Sequence, residues 1–173
     1  AKSRIPHCIE TGHEPAGTVV ALRAGVTNCT VGQRVSAEGH ITSFNDYNSR
    51  TGNAHIVSDT RILGVDRDGC FAEYLILPAG NVWAMHEAIP DRFAAIMDPL
   101  GNAVHTVMSA GVSTKSVVIT GVGIIGLMAV TVARAAGASR IYATDTNPKR
   151  LELARRLGAA DVFNPITDKN WIE

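Results

Sequence analysis

Residues 115–138 read KSVVITGVGIIGLMAVTVARAAGA, and this stretch decides the fold. KSVVIT is a short apolar run of the kind that forms a buried strand, GVGIIG is a turn, and LMAVTVARAAGA has helical spacing and closes at Gly137. The same grammar repeats downstream. RIYATD reads as a second strand, TNPKRLELARRLGA as a second helix and DVFNP as a third strand. A β-α-β-α-β order implies parallel strands with crossover helices. In the turn, Gly121 permits the sharp reversal, Gly123 lets backbone approach a pyrophosphate, and Gly126 lets the helix pack closely on the strand. Ile124 and Ile125 sit between these glycines at the helix N-terminus, where free N–H groups favour an anion. Asp145 ends the next strand, where a carboxylate can bind both ribose hydroxyls. An acid there favours NAD over NADP, because it repels a 2′-phosphate. Arg150 either meets phosphate or adenine, or is a solvated helix residue.

Upstream the texture differs. Residues 14–90 are rich in Val, Gly, Asn, Asp and Ser, with short runs such as GTVVAL and AEYLIL that suggest strands joined by turns. Ser43–Thr60 is polar throughout and reads as a long loop or flexible lobe. From about Pro90 the period becomes helical. DRFAAIMDPLGNAVHTVMSAG is expected to form two short helices with a step at Asp98, since proline disfavours helix at the residue before it. The expected division is a β-rich domain over residues 1–97 and an α/β domain over 98–173.

Composition narrows the function classes. In 173 residues, 16 Lys plus Arg balance 16 Asp plus Glu. No basic excess exists for nucleic acid and no polybasic run for an anionic membrane. The longest apolar stretch, Val117–Ala136, is interrupted by Thr, Gly and Arg134, so no membrane span is expected. No signal peptide is expected from AKSRIPHCIE, which lacks an apolar run, and Cys8, Cys29 and Cys70 form no CxxC pair. These features fit a reducing, cytoplasmic setting, and a small-molecule substrate enters only with the resemblance given below.

A second constellation joins Gly12-His13-Glu14 to Glu38-Gly39-His40 and Asp98-Pro99. Imidazole and carboxylates suit a catalytic zinc, which takes a few N, O or S ligands and keeps a position open. His13 and Glu14 are adjacent, so on a regular strand they face opposite ways, and a bend is needed for both to reach one metal. By spacing alone, a turn histidine at 13 and a helix cap at Asp98 are the simpler reading.

The stretches GHEPAGTVVAL (12–22), VGQRVSAEGHI (31–41), ILGVDRDGCFAEYLILP (62–78), AAIMDPLGNAVHT (94–106) and VVITGVGIIGLMAVTVARAAGA (117–138) resemble the zinc-dependent medium-chain dehydrogenase/reductase superfamily. Within it they are most similar to the threonine dehydrogenase branch, the pairing of EGHI with DPLGNAVHT being the specific part. The resemblance runs from Ala1 to about Pro165. It implies a partial GroES-like β-rich lobe followed by a partial Rossmann lobe, the fold class α/β plus β. It implies His13 as a catalytic-zinc ligand, with Glu14 and Asp98 at the metal, and His40 beside the substrate. Gly121, Gly123, Gly126 and Asp145 match the NAD site. The implied reaction is NAD-dependent, zinc-assisted oxidation of a secondary alcohol, L-threonine to 2-amino-3-oxobutyrate, by a homo-oligomer.

The departures from the family matter too. The family's thiolate ligand lies in a Cys-Gly-Thr-Asp motif with no counterpart here, and Cys8 is not expected to replace it. Four cysteines of the family's structural-zinc lobe fall on Ser43, Asp46, Ser49 and Val57, so no structural zinc is expected. The second half of the nucleotide domain has no counterpart in these residues. Impaired turnover is therefore expected of this chain. A polyol (sorbitol-type) dehydrogenase and a non-catalytic dinucleotide-binding fragment are the alternative readings.

Overall fold

The computed structural model describes residues 9–43 and 45–168. The chain divides into two compact units, one ending at Asp98 and the other beginning at Pro99. The reading of Cys8 lies outside the described residues.

The first unit is built from short strands: β1 (Ala16–Thr18), β2 (Arg34–Ala37), β3 (His40–Ile41), β4 (Arg61–Ile62) and β5 (Val82–Ala84). Three of them make an antiparallel sheet in the order β1-β2-β5, with Ala16 opposite Ser36 and Ser36 opposite Trp83. The other two form a separate antiparallel pair, His40 opposite Ile62. Polar side chains tie the sheet to its connections. The buried Ser36 hydroxyl donates to the Pro15 carbonyl at 2.9 Å, and Arg34 donates to the Ile89 carbonyl at 2.6 Å while pairing with Asp91. The buried apolar residues here, Cys29, Ala37, Val57, Leu63 and Ala94, are few and scattered.

Two expectations for this unit need correction. AEYLIL does not form a strand. Residues 72–77 find no ladder partner among the described residues, and Tyr74 and Ile76 face solvent. The polar stretch 43–60 is not one long loop. It holds a short helix, α1 (Tyr47–Arg50), and a 3-10 turn at Ala54–Ile56, because Asp46 caps the helix by accepting from the Asn48 amide at 2.7 Å.

The helical region also differs from expectation. A short helix, α2 (Asp91–Ala94), ends at Ala95, and α3 runs unbroken from Met97 to Ala110. Asp98 and Pro99 therefore lie in the first turn of α3 and mark no step. Proline is tolerated there because first-turn N–H groups have no intrahelical acceptor to lose.

The second unit follows the expected order: β6 (Ser116–Thr120), α4 (Ile124–Ala135), β7 (Arg140–Thr144), α5 (Pro148–Leu157) and β8 (Asp161–Phe163). The sheet is parallel in the order β6-β7-β8, with Val117 opposite Ile141 and Ala143 opposite Val162. One contiguous core joins Val122, Ala129, Val130 and Ala133 to Ile141, Ala143, Leu151, Ala154 and Val162. Helix α5 shows why its sequence reads so cleanly. Asn147 caps it by accepting from the Lys149 amide at 2.9 Å, Pro148 opens it, and Gly158 closes it at φ 124°.

Candidate functional site

The segment carrying His13 is held from behind by backbone. The Gly69 amide donates to the Glu10 carbonyl at 2.7 Å, Phe71 to Thr11 at 2.9 Å and Cys70 to Gly12 at 3.0 Å. Only glycines permit this crossing. A Cβ on Gly69 would lie 2.3 Å from the Gly12 carbonyl oxygen, and one on Gly64 would lie 2.4 Å from the same atom. Gly12 itself has φ 95°, a left-handed conformation that L side chains rarely adopt. This irregular backbone supplies the bend that adjacent His13 and Glu14 need.

The bend brings one ligand atom each of His13, Glu14 and Asp98 within 4.8 Å of one another. The structure thus gathers residues that spacing alone left apart. His13 and Glu14 are exposed and Asp98 is half-buried. Burial raises the Asp98 carboxyl above the ordinary carboxylate value. His13 opposes that rise, Glu38 and Glu14 add to it, and His40 opposes it again. One imidazole nitrogen and two carboxylate oxygens fit a catalytic zinc, which uses three such protein ligands and leaves a fourth position open.

Beside the cluster lies the turn Glu38-Gly39-His40. A Cβ on Gly39 would stand 3.4 Å from the His13 carbonyl oxygen. His40 opens β3, and its Nδ1 lies 2.6 Å from Glu38 Oε1. Asn81, which the sequence reading missed, is buried beneath this turn. Gly64 and Gly69 were also missed, although the run LGVDRDGC, with a glycine near each end, was the available signal.

In the second unit the GVGIIG turn joins β6 to α4. Gly121 has φ 80°. A Cβ on Gly126 would lie 2.1 Å from the Gly121 carbonyl oxygen, so helix and loop touch backbone to backbone. Space around Gly123 is open, and this residue caps α4 without any side-chain bond. The amides of Ile124 and Ile125 thus open a helix with no competing cap, where an anion can dock. Asp145 directly follows β7, with its carboxylate turned inward. Its Oδ2 accepts from the Val122 amide at 3.0 Å and its Oδ1 from the Asn147 amide at 2.8 Å. A carboxylate has about four acceptor sites, so ribose hydroxyls still find lone pairs there. Arg150 is half-exposed, with Nη1 3.7 Å from Asp145 Oδ2. These groups fit a dinucleotide.

A separate groove of about 720 Å³ in the first unit is lined by apolar residues such as Val20, Leu22, Leu75, Leu77 and Val82. It contains none of His13, Glu14 and Asp98. No described helix is long and apolar enough to cross a membrane.

With this geometry in place, comparison with known proteins is direct. Residues 1–87 match the alcohol dehydrogenase GroES-like domain family, and residues 125–173 match the zinc-binding dehydrogenase family. The chain is 46% identical over 169 residues to L-threonine 3-dehydrogenase from Chelativorans sp. (strain BNC1), covering 98% of this chain and 49% of that protein. It spans about half the length of the curated relatives it matches. Among solved structures, galactitol-1-phosphate dehydrogenase from Escherichia coli superposes with a TM-score of 0.86 at 31% identity, over 92% of this chain and 46% of that one. A zinc-binding dehydrogenase from Sinorhizobium meliloti 1021 bound to NADP superposes at 0.88 with 28% identity, over 95% of this chain and 48% of that one. The antiparallel first unit, the parallel second unit and these matches together show that the chain belongs to the zinc-dependent medium-chain dehydrogenase/reductase superfamily.

Proposed function

We propose that the chain carries the metal site and the adenosine side of the nucleotide site of an NAD-dependent dehydrogenase acting on a secondary alcohol. L-Threonine is the proposed substrate and 2-amino-3-oxobutyrate the product. The observation that carries this reading is the convergence of His13, Glu14 and Asp98 within 4.8 Å. The 46% identity to an L-threonine 3-dehydrogenase supports the substrate.

His13, Glu14 and Asp98 would hold zinc, which supplies a Lewis acid that lowers the pKa of an alcohol hydroxyl. NAD, when bound, would supply a hydride acceptor. The remaining roles belong to the protein's own groups. The half-buried Asp98 and the exposed Glu14 set the charge at the metal position. His40 flanks that position and contacts the substrate. The Gly121–Gly126 loop and the amides of Ile124 and Ile125 seat the pyrophosphate. Asp145 accepts from the ribose and repels a 2′-phosphate, and Arg150 offers a cation at the edge of that pocket. The stretch 43–57 holds no zinc. A polyol dehydrogenase is the second reading, favoured by the likeness to galactitol-1-phosphate dehydrogenase.

The test follows NADH absorbance with zinc, NAD and either L-threonine or a polyol, alongside calorimetry of nucleotide binding. No thiolate joins the cluster among the described residues, so turnover by the 173-residue chain is expected to be slow but zinc-dependent and threonine-dependent. A polyol-dependent signal without a threonine signal would move the assignment to the second reading. Asp145→Ala is expected to weaken NAD binding by about 1–2 kcal/mol. Tighter binding of NADP than of NAD by the unaltered chain would contradict the role given to Asp145.

A further inference from the structure

The turn Glu38-Gly39-His40 is fixed at three levels, more than a surface pair requires. The Glu38 carboxylate reaches His40 twice, its Oε1 accepting from the His40 amide at 2.8 Å and meeting the ring Nδ1 at 2.6 Å. Beneath the turn, Asn81 is 4% exposed. Its Nδ2 donates to the Glu38 carbonyl at 3.0 Å and to the His40 carbonyl at 2.9 Å, and its backbone carbonyl accepts from the Glu38 amide at 2.8 Å. The two carbonyls demand two donors, which fixes the orientation of the Asn81 amide group. Its Oδ1 is buried with no hydrogen-bond partner among the described residues, an arrangement that costs free energy.

We propose that Glu38 and Asn81 are positioning residues that lock His40 in the Nδ1–H tautomer, so that Nε2 stays an acceptor beside the cluster of His13, Glu14 and Asp98. An ionised carboxylate can only accept, so the ring nitrogen facing it must carry a proton. In the neutral imidazole the other nitrogen then keeps its lone pair. A substrate presenting an N–H or O–H donor, such as the α-ammonium or hydroxyl of an amino alcohol, is the class this lone pair would receive. The substrate clause rests on the dehydrogenase reading above, whereas the tautomer does not.

The experiment is a long-range ¹H–¹⁵N spectrum of the histidine side chains of the 173-residue protein, recorded well above the pH at which imidazole is protonated. The unaltered protein is expected to show His40 as the Nδ1–H form. Glu38→Ala is expected to move it mainly to the Nε2–H form that free imidazole side chains favour in water, with the amide spectrum showing an intact fold. Glu38→Gln is expected to retain the Nδ1–H form, because the carboxamide oxygen still accepts. Asn81→Asp, which puts a carboxylate oxygen where two carbonyls require donors, is expected to broaden or split the His40 resonances. An Nε2–H tautomer in the unaltered protein, or an unchanged tautomer in Glu38→Ala, would overturn the proposal. A locked tautomer without threonine-dependent NADH formation would leave this inference standing and count against the substrate alone.

Discussion

Residues 10–14 and residues 43–57 belong to the same unit, yet they are held in opposite ways. The first is gripped from behind by backbone. Glycines at 12, 64 and 69 let backbone segments approach to distances no side chain allows, and the side chains of His13 and Glu14 remain exposed. The second spends its polar atoms on itself. Asp46 caps α1, the Ser49 hydroxyl donates to the Asp46 carbonyl at 2.8 Å, Ser43 bonds Asp59, and Thr60 donates to the Ala54 carbonyl at 3.1 Å. Ser49 and Val57 are buried together with this network in place. A site that must offer ligands needs its geometry imposed from outside. A lobe with no ligands to offer can close on its own hydrogen bonds.

The contrast is broken most forcefully at Gly69. Gly69→Ala drives a Cβ into backbone at 2.3 Å, where nothing flexible can yield. It is expected to cost about 1–3 kcal/mol of stability, read as a lowered urea midpoint, and to weaken zinc binding in the same variant. Unaltered zinc affinity with lowered stability would show that the crossing supports the fold without setting the site. Next in size is Ser49→Ala, which removes one buried hydroxyl from the self-contained lobe. It is expected to cost about 1 kcal/mol in urea unfolding and to leave zinc affinity untouched. A change in zinc affinity there would erase the distinction between the two regions.

The smallest effect is one of pH. The Asp98 carboxyl is raised above its ordinary value of 3.8, chiefly by burial. A raised acid binds its proton more tightly when folded than when unfolded. For the metal-free protein, its contribution is therefore present below the ordinary value and lost as pH rises through the raised one. Zinc binding has the opposite sense, because the ligand must shed its proton, so affinity falls as pH is lowered through the same window. Asp98→Asn is expected to flatten the Asp98 part of both profiles, checked by urea unfolding and zinc titration across the acid range.

The contrast between the two units explains what was legible in the sequence. The β-α-β-α-β unit was readable because its signals are local. Apolar runs, the Asn147 cap, Pro148 and Gly158 each announce a boundary within a few residues. In the first unit the decisive contacts join positions far apart in the chain. Gly69 against Gly12 and Asn81 against Glu38 and His40 have no periodicity to betray them. AEYLIL looked like a strand because its side chains alternate, but alternation does not supply a partner. Pro99 reads as a break because proline disfavours helix at the residue before it, but α3 begins at Met97, so Pro99 falls in the first turn, where proline is tolerated. The ligand trio came from resemblance, since spacing alone favoured a turn and a cap. The bend at Gly12 that unites it is visible only in three dimensions.

The proposed metal centre of this chain is the cluster of His13, Glu14 and Asp98, with none expected in the stretch 43–57. Equilibrium dialysis against zinc, comparing the unaltered chain with His13→Ala, tests it most directly. A single zinc per chain is expected, with affinity falling more than about 100-fold on loss of the imidazole, a larger change than groups outside the ligand set produce. Zinc retained at full stoichiometry and affinity by His13→Ala would contradict it.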